Sequence, residues 1–193
     1  MNLFGFGGQR AVVGGALSAM VVLGCWQIET GAGGGGAGGS GTTDTAWSGT
    51  DLQVCSVACA KLIACGVGLD LDTCKANCSD AANASLVACF RSVGPVCNSL
   101  ASCAWQAACG VSPSGSATCA AAADCGVTCA GSPTTECGCS CASQASSAVA
   151  VNYYAVAICS TLHCNVECSA SGDTASCQTC LDTSCATEMG KCQ

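Results

Sequence analysis

The sequence predicts an all-α fold built from small, disulfide-rich helical hairpins. The 193-residue chain contains 23 cysteines, a density typical of proteins that fold in an oxidising compartment. Residues 51–193 contain only 23 Leu, Ile, Val and Phe in 143 positions, which is too few to support a hydrophobic core unaided. Cysteines also recur four residues apart on both sides of a glycine turn, as expected where bridges join two antiparallel helices.

The first hairpin is predicted over residues 50–79. Thr50 and Gln53 match a capping box, and Gly66 provides the left-handed residue that ends the first helix. Asp70 can cap the second helix. Folding the two helices back about the glycine turn brings together two cysteine pairs, Cys55–Cys78 and Cys59–Cys74. This C-x3-C pair facing a second C-x3-C pair resembles the alpha-hairpinin peptides, which implies a scaffold and no particular activity.

Two further helices complete the first half. A third is predicted from Ala81 to Ser92 and a fourth from Pro95 to Cys109, because proline suits the first position of a helix. Cysteines at positions 97, 103 and 109 of the fourth helix are spaced by six residues. They therefore point about 120° apart, and each is expected to reach a different neighbour.

The second half is predicted to begin after the Ser/Gly/Pro connector at residues 111–116. A short helix from Ala117 to Gly126 precedes an irregular stretch, residues 126–141. A long helix then runs from Ala142 to Cys168 with a break near His163, and Asp173 caps the last helix. Mirror spacing about Gly172 predicts two bridges, Cys168–Cys177 and Cys164–Cys180, and a third, Cys159–Cys185, if the long helix is kinked.

This organisation divides the chain into four parts: a signal peptide (1–24), a flexible Gly/Ser/Thr tether (25–49), and two cysteine-rich lobes (50–110 and 117–193). The first lobe contains 9 cysteines and the second 13. Both counts are odd, so complete pairing requires an odd number of bridges between the lobes. The glycine-rich part of the tether cannot offset its own ordering entropy and is expected to be a random coil.

The amino terminus carries a targeting signal. The apolar run from Ala11 to Gly24 is too short to cross a bilayer but suits a secretory signal. The run ends in Val22-Leu23-Gly24-Cys25, which resembles the lipobox of bacterial lipoproteins and implies cleavage before Cys25 and lipid attachment at its thiol. An ordinary signal peptide with a chance cysteine is the alternative. Lipidation of Cys25 would leave 22 cysteines, an even number, for pairing.

Two further resemblances concern location. Trp26 follows Cys25 in place of the aspartate that retains enteric lipoproteins in the inner membrane, which implies the outer membrane, on its periplasmic or surface face. The spacing of Cys177, Cys180, Cys185 and Cys192 in an Ala/Ser/Thr background is similar to that of the Cys-rich lipoproteins that myxobacteria encode in number. This resemblance implies a location more than an activity.

Charge limits the possible partners. After cleavage, four basic residues remain against twelve acidic ones. Such a chain repels phosphate backbones, so nucleic acid is not expected as a partner. The expected contacts are the membrane, through the lipid, and a protein or cell-surface partner.

Three kinds of chemistry are the alternatives to a non-catalytic role: metal binding, thiol–disulfide exchange and hydrolysis. Cys177 and Cys180, or the alternating Cys137, Cys139 and Cys141, could begin a metal site, and the first pair could serve thiol–disulfide exchange. His163 is the only histidine, and no nucleophile motif accompanies it. We therefore expect a non-enzymatic lipoprotein with a structural or interaction role and no cofactor, with a thiol-redox or metal-handling protein as the alternative.

Overall fold

The computed structural model describes residues 47–130, 134–169 and 172–193. Within these residues the chain forms nine α-helices and no β-strand, so the predicted all-α class is confirmed. The predicted signal peptide, Cys25 and the tether as far as residue 46 lie outside the described residues. The helices are α1 (Asp51–Ala64), α2 (Leu71–Cys78), α3 (Ala84–Val93), α4 (Cys97–Cys109), α5 (Cys119–Thr128), α6 (Thr135–Gln144), α7 (Ala150–His163), α8 (Thr174–Ser184) and α9 (Ala186–Lys191).

The α1–α2 hairpin has the predicted ends. The Thr50 hydroxyl accepts a hydrogen bond from the Gln53 amide, and the Gln53 side chain accepts one from the Thr50 amide at 2.8 Å. Gly66 adopts a φ of +91°, the left-handed conformation that ends α1. The Asp70 carboxylate caps α2 by accepting from the Thr73 amide at 2.8 Å, and this backbone hydrogen bond lowers the pKa of Asp70.

The folded body begins slightly before the predicted end of the tether. Trp47 is partly buried against the hydrophobic core. Arg91 on α3 donates to the Gly49 carbonyl at 2.8 Å and pairs with the Asp51 carboxylate at 2.5 Å. The packing of Trp47 on the core and the contacts of Arg91 with Gly49 and Asp51 together hold residues 47–51 where the chain enters α1.

Helix α4 begins two residues later than predicted. The Val96 amide donates to the Gly94 carbonyl at 3.0 Å, so Pro95 lies in a tight turn and not at the first position of the helix. The first α4 hydrogen bond runs from the Leu100 amide to the Val96 carbonyl. The predicted third helix likewise begins with a 3₁₀ turn before α3.

Helix α4 is bridged to three neighbours, as its cysteine spacing predicts. Cys97 pairs with Cys65 at the end of α1, Cys103 pairs with Cys89 on α3, and Cys109 pairs with Cys139 on α6. The last of these is the one bridge that crosses the 111–116 connector among the eleven in the described residues, and one is an odd number, as parity requires.

The hydrophobic core does not stop at that connector. Trp105 on α4 stacks on Tyr153 of α7 at 5.1 Å between ring centroids, and its edge contact with Tyr154 is at 5.6 Å. One buried cluster extends from Val54 on α1 through these rings to Cys192. The two predicted lobes therefore share a core, because α7, the most apolar later segment, is buried against α4. No helix of the described residues has the length and apolarity needed to cross a membrane.

The prediction for residues 126–141 was wrong. The stretch expected to be irregular forms the end of α5 and most of α6. The Thr134 hydroxyl caps α6 by accepting from the Cys137 amide at 3.0 Å, and bridges join this helix to α4 and α5. The predicted long helix from Ala142 is the end of α6, a 3₁₀ turn at Ser147–Val149, and α7, which ends at the expected break, His163.

Replacing Tyr153 with phenylalanine should stabilise the fold and remove a loss of stability at alkaline pH. Tyr153 is fully buried, and its hydroxyl has no hydrogen-bond partner among the described residues. Removing an unsatisfied buried hydroxyl should raise the free energy of unfolding by about 1 kcal/mol. Burial raises the pKa of Tyr153 well above its ordinary value of 10.0, so wild-type stability should fall as the pH rises above about 10, where only the unfolded tyrosine ionises.

The slope of this loss is at most about 1.4 kcal/mol per pH unit for one proton. Guanidinium unfolding of the non-reduced protein at several alkaline pH values measures it. Ser160→Ala, which removes a different buried hydroxyl that does not ionise in this pH range, is the control and should retain the slope. A Tyr153→Phe variant with the wild-type pH dependence would contradict the prediction.

The disulfide topology predicts that one short segment carries the only covalent link between two cross-linked blocks. Each peptide bond from Cys55 to Cys103 lies within the loop closed by at least one disulfide, and so does each peptide bond from Cys109 to Cys192. The peptide bonds between Cys103 and Cys109 lie within no disulfide loop. Trp105 lies in this gap. Oxidative cleavage at tryptophan in denaturant should therefore release residues 48–105 and 106–193 as separate fragments without reduction, as seen by mass spectrometry. Fragments that separate only after reduction would show a bridge across the gap.

Candidate functional site

The cysteines of the described residues form eleven bridges. Six of these bridges form three pairs, and each pair cross-links the two arms of one hairpin. A bridge between the two arms of a hairpin is called a rung below. The structure joins the four pairs that the spacing predicts, Cys55–Cys78, Cys59–Cys74, Cys164–Cys180 and Cys168–Cys177. It also contains the Cys159–Cys185 bridge, which extends the last hairpin. Helix α7 ends before Cys164, and this break provides the change of direction that the third rung needs.

The α5–α6 hairpin is the one that sequence analysis missed. Its rungs are Cys125–Cys141 and Cys129–Cys137, and both are centred on position 133, so the mirror signal was present. Treating residues 126–141 as irregular left Cys137, Cys139 and Cys141 without a helical spacing. In a helix, Cys137 and Cys141 share a face, and Cys139 points to α4 instead.

The sulfurs of this hairpin converge. The Sγ atoms of Cys129 and Cys141, which belong to different bridges, are 3.9 Å apart. Those of Cys129, Cys137 and Cys141 all lie within 4.8 Å of one another, the only such group of possible metal ligands in the described residues. Cys129 and Cys141 are buried, whereas Cys125 and Cys137 are half-buried. Each rung thus has one sheltered and one accessible sulfur.

The charged residues within this hairpin are acidic. No lysine, arginine or histidine occurs between Arg91 and His163 in the sequence. Asp124 on α5 and Glu136 on α6 are exposed and adjoin bridged cysteines in the sequence. The hairpin itself therefore provides no cation to stabilise a reactive thiolate, whereas its acidic residues favour a bound divalent cation.

The C-x2-C sequence at Cys177 and Cys180 does not form a pair within one helical turn. Cys177 is bonded to Cys168 and is fully buried, and Cys180 is bonded to Cys164. A dithiol exchange motif needs both sulfurs to pair with each other, so these two residues act here as separate rungs of a hairpin.

His163 lies at an open depression of about 510 Å³ that is also lined by Glu167 and by hydroxyl groups of α8. The imidazole is exposed. The Thr179 and Thr183 hydroxyls donate to carbonyls of their own helix at 2.8 Å. In the described part of the chain, no hydrogen bond joins His163 to these two hydroxyls.

A second depression, of about 320 Å³, lies between α3, α4 and the start of α7. Asn98 occupies its wall and donates to the Ala148 carbonyl while accepting from the Val151 amide. This side chain ties α4 to the 3₁₀ turn before α7, which is a structural role.

Comparison with known proteins finds no matching family model, no matching curated protein and no matching solved structure.

Limited reduction of the folded protein should open the α5–α6 bridges before the α1–α2 bridges. A reductant must reach a sulfur atom. Both α5–α6 rungs offer a half-buried sulfur, whereas all four sulfurs of α1–α2 are at most 3% exposed. Alkylation of the new thiols followed by peptide mapping measures the order. Earlier alkylation of Cys55, Cys59, Cys74 or Cys78 would contradict it.

Proposed function

We propose that this protein is a lipid-anchored extracytoplasmic lipoprotein whose helical body has a structural or binding role and not a catalytic one. The observation that carries the proposal is a count. Eleven bridges account for all 22 cysteines from Cys55 to Cys192, and the chain has 23. Cys25 is the remaining one, and it directly follows the lipobox-like Val22-Leu23-Gly24.

The bridges also support an extracytoplasmic location. Eleven disulfides form and persist where cellular reductants are absent, which indicates an oxidising, extracytoplasmic environment. A signal at the amino terminus is the means by which the chain would reach it. Two or three acyl chains on Cys25 would make the attachment stable, because a single chain gives only marginal membrane binding.

The body and the anchor would be separated by residues 25–46. A glycine-rich coil of this length has a root-mean-square reach of about 25 Å. Trp47 and the Arg91 contacts with Gly49 and Asp51 mark the point where this coil would meet the folded part. The body would thus stand clear of the headgroups, in keeping with a chain whose acidic charge gains nothing from an anionic lipid surface.

The same proposal assigns the outer membrane, because Trp26 replaces the residue that signals inner-membrane retention in enteric lipoproteins. The partner would be a protein or another component of the cell surface. A strongly acidic body with a fixed, cross-linked shape suits recognition by a preformed surface, because little ordering entropy remains to be lost on binding.

Cys25→Ser is expected to abolish lipidation without changing the fold. The variant should lack acyl mass and keep its signal peptide, because cleavage before Cys25 follows acylation, while its far-ultraviolet circular dichroism matches that of the wild type. Intact mass of the membrane-extracted protein before and after reduction should show acylation at an amino-terminal Cys25 and a gain of two hydrogens for each of the eleven bridges.

The matched control is Cys119→Ser with Cys192→Ser, which removes a bridge and should leave the acyl mass intact. Wild-type protein that begins at another residue, or a Cys25→Ser variant that still carries acyl mass, would overturn the proposal.

A further inference from the structure

We propose that the α5–α6 hairpin, once its two bridges are reduced, forms a four-thiolate binding site for a thiophilic divalent cation of the zinc type. The ligands would be the Sγ atoms of Cys125, Cys129, Cys137 and Cys141. This goes beyond the lipoprotein role and does not depend on the anchor.

Sulfur spacing carries the proposal. Zinc binds thiolate sulfur at about 2.3 Å in a tetrahedral arrangement, which places the sulfurs about 3.8 Å from one another. Cys129 and Cys141 already lie 3.9 Å apart, and Cys137 lies within 4.8 Å of both. Cys125 is bonded to Cys141, so its sulfur adjoins this group of three without belonging to it. Opening the two bridges requires the bonded sulfurs to separate by about 1.8 Å to reach tetrahedral distances.

The cation would bridge two helices through the ligand spacing that structural zinc sites favour. Both halves of the site are C-x3-C pairs, within the usual two to four intervening residues. Spacing alone does not select the site, because the α1–α2 hairpin has the same two C-x3-C pairs. The sulfurs of α1–α2 form no comparable group, and this difference makes α1–α2 a matched control within the same chain.

The electrostatic setting favours a cation over a reactive thiol. Four thiolates on a divalent ion carry a net charge of −2, and Asp124 and Glu136 add negative charge nearby. Residues 92–162 contain no lysine, arginine or histidine, so the hairpin has no basic residue of its own, and a bound metal ion would hold all four sulfurs deprotonated. The two buried sulfurs, of Cys129 and Cys141, would be shielded from water and from oxidants.

The chemistry balances with an external dithiol as the reductant. For each bridge, the dithiol supplies two electrons and two protons, the S–S bond breaks to give two thiols, and the dithiol closes to its own disulfide. Four thiols then release four protons as the cation binds. The half-buried Cys125 and Cys137 are the sulfurs that the reductant can reach first.

The test uses the mature full-length protein and Zn²⁺ or Co²⁺ alone. A limiting amount of a phosphine opens bridges by consuming one phosphine and one water per bridge, and it is removed before metal is added, since dithiols themselves bind zinc. Alkylation and peptide mapping then report which thiols are free with and without zinc. We expect one equivalent of zinc, a tetrahedral thiolate spectrum with cobalt, and protection of the four α5–α6 cysteines only.

Variants separate this site from general thiol binding. Cys125→Ala with Cys141→Ala, and Cys129→Ala with Cys137→Ala, each remove two ligands and should lower zinc affinity by more than the roughly 10–100-fold typical of losing an outer-shell partner. The control, Cys55→Ala with Cys78→Ala, should bind zinc as the wild type does. The protection pattern in the wild type serves as a readout that needs no variant to fold.

Four results would overturn the proposal. The first is equal zinc affinity in all three variants, and the second is zinc protection that extends to the α1–α2 cysteines. The third is closure of a Cys129–Cys141 bridge in place of metal binding. The fourth is opening of the α5–α6 bridges only after the helical circular dichroism signal is lost.

Discussion

Disulfides join helices whose facing surfaces consist mostly of alanine, cysteine and serine. The bridged Cα atoms lie 4.5–6.0 Å apart, and the short side chains of residues such as Ala58, Ala101 and Ala122, all nearly or fully buried, allow this close approach. Small side chains bury little apolar area each, so burial contributes less per residue than in an ordinary helical domain. The bridges offset this by reducing the entropy of the unfolded chain.

The few large side chains are concentrated where α4 meets α7. Trp105, Tyr153 and Leu100 are among the largest fully buried residues, and the stacked rings bring the two halves of the chain into one core. Helix α4 therefore combines both kinds of stabilisation: three bridges radiate from it, and the aromatic cluster packs on it. The outer hairpins rely more heavily on their paired rungs.

The hairpin pairs and helix ends could be predicted because they are local. Mirror spacing about Gly66 or Gly172, and caps at Thr50, Asp70 and Asp173, need only helix geometry. Helix α6 was missed although its hairpin shows the same mirror spacing, about position 133. Its sequence is polar, and bridges to α4 and α5 hold the helix. The shared core was also missed, because contacts between Trp105 and Tyr153 join residues that are far apart in sequence. The convergence of sulfurs in α5–α6 was not predicted either, because it depends on the helical spacing of Cys137 and Cys141 in α6.

The segment between Cys103 and Cys109 has a consequence for resistance to proteolysis. Peptidases cut extended, accessible chain most readily, and a single cut anywhere else between Cys55 and Cys192 leaves both pieces covalently joined. Between Cys55 and Cys192, the one stretch where a cut would sever the chain is the interior of α4, where the backbone is helical and Trp105 is 1% exposed. Within that range, the peptide bonds that no bridge spans thus lie inside a packed helix and not in an extended loop.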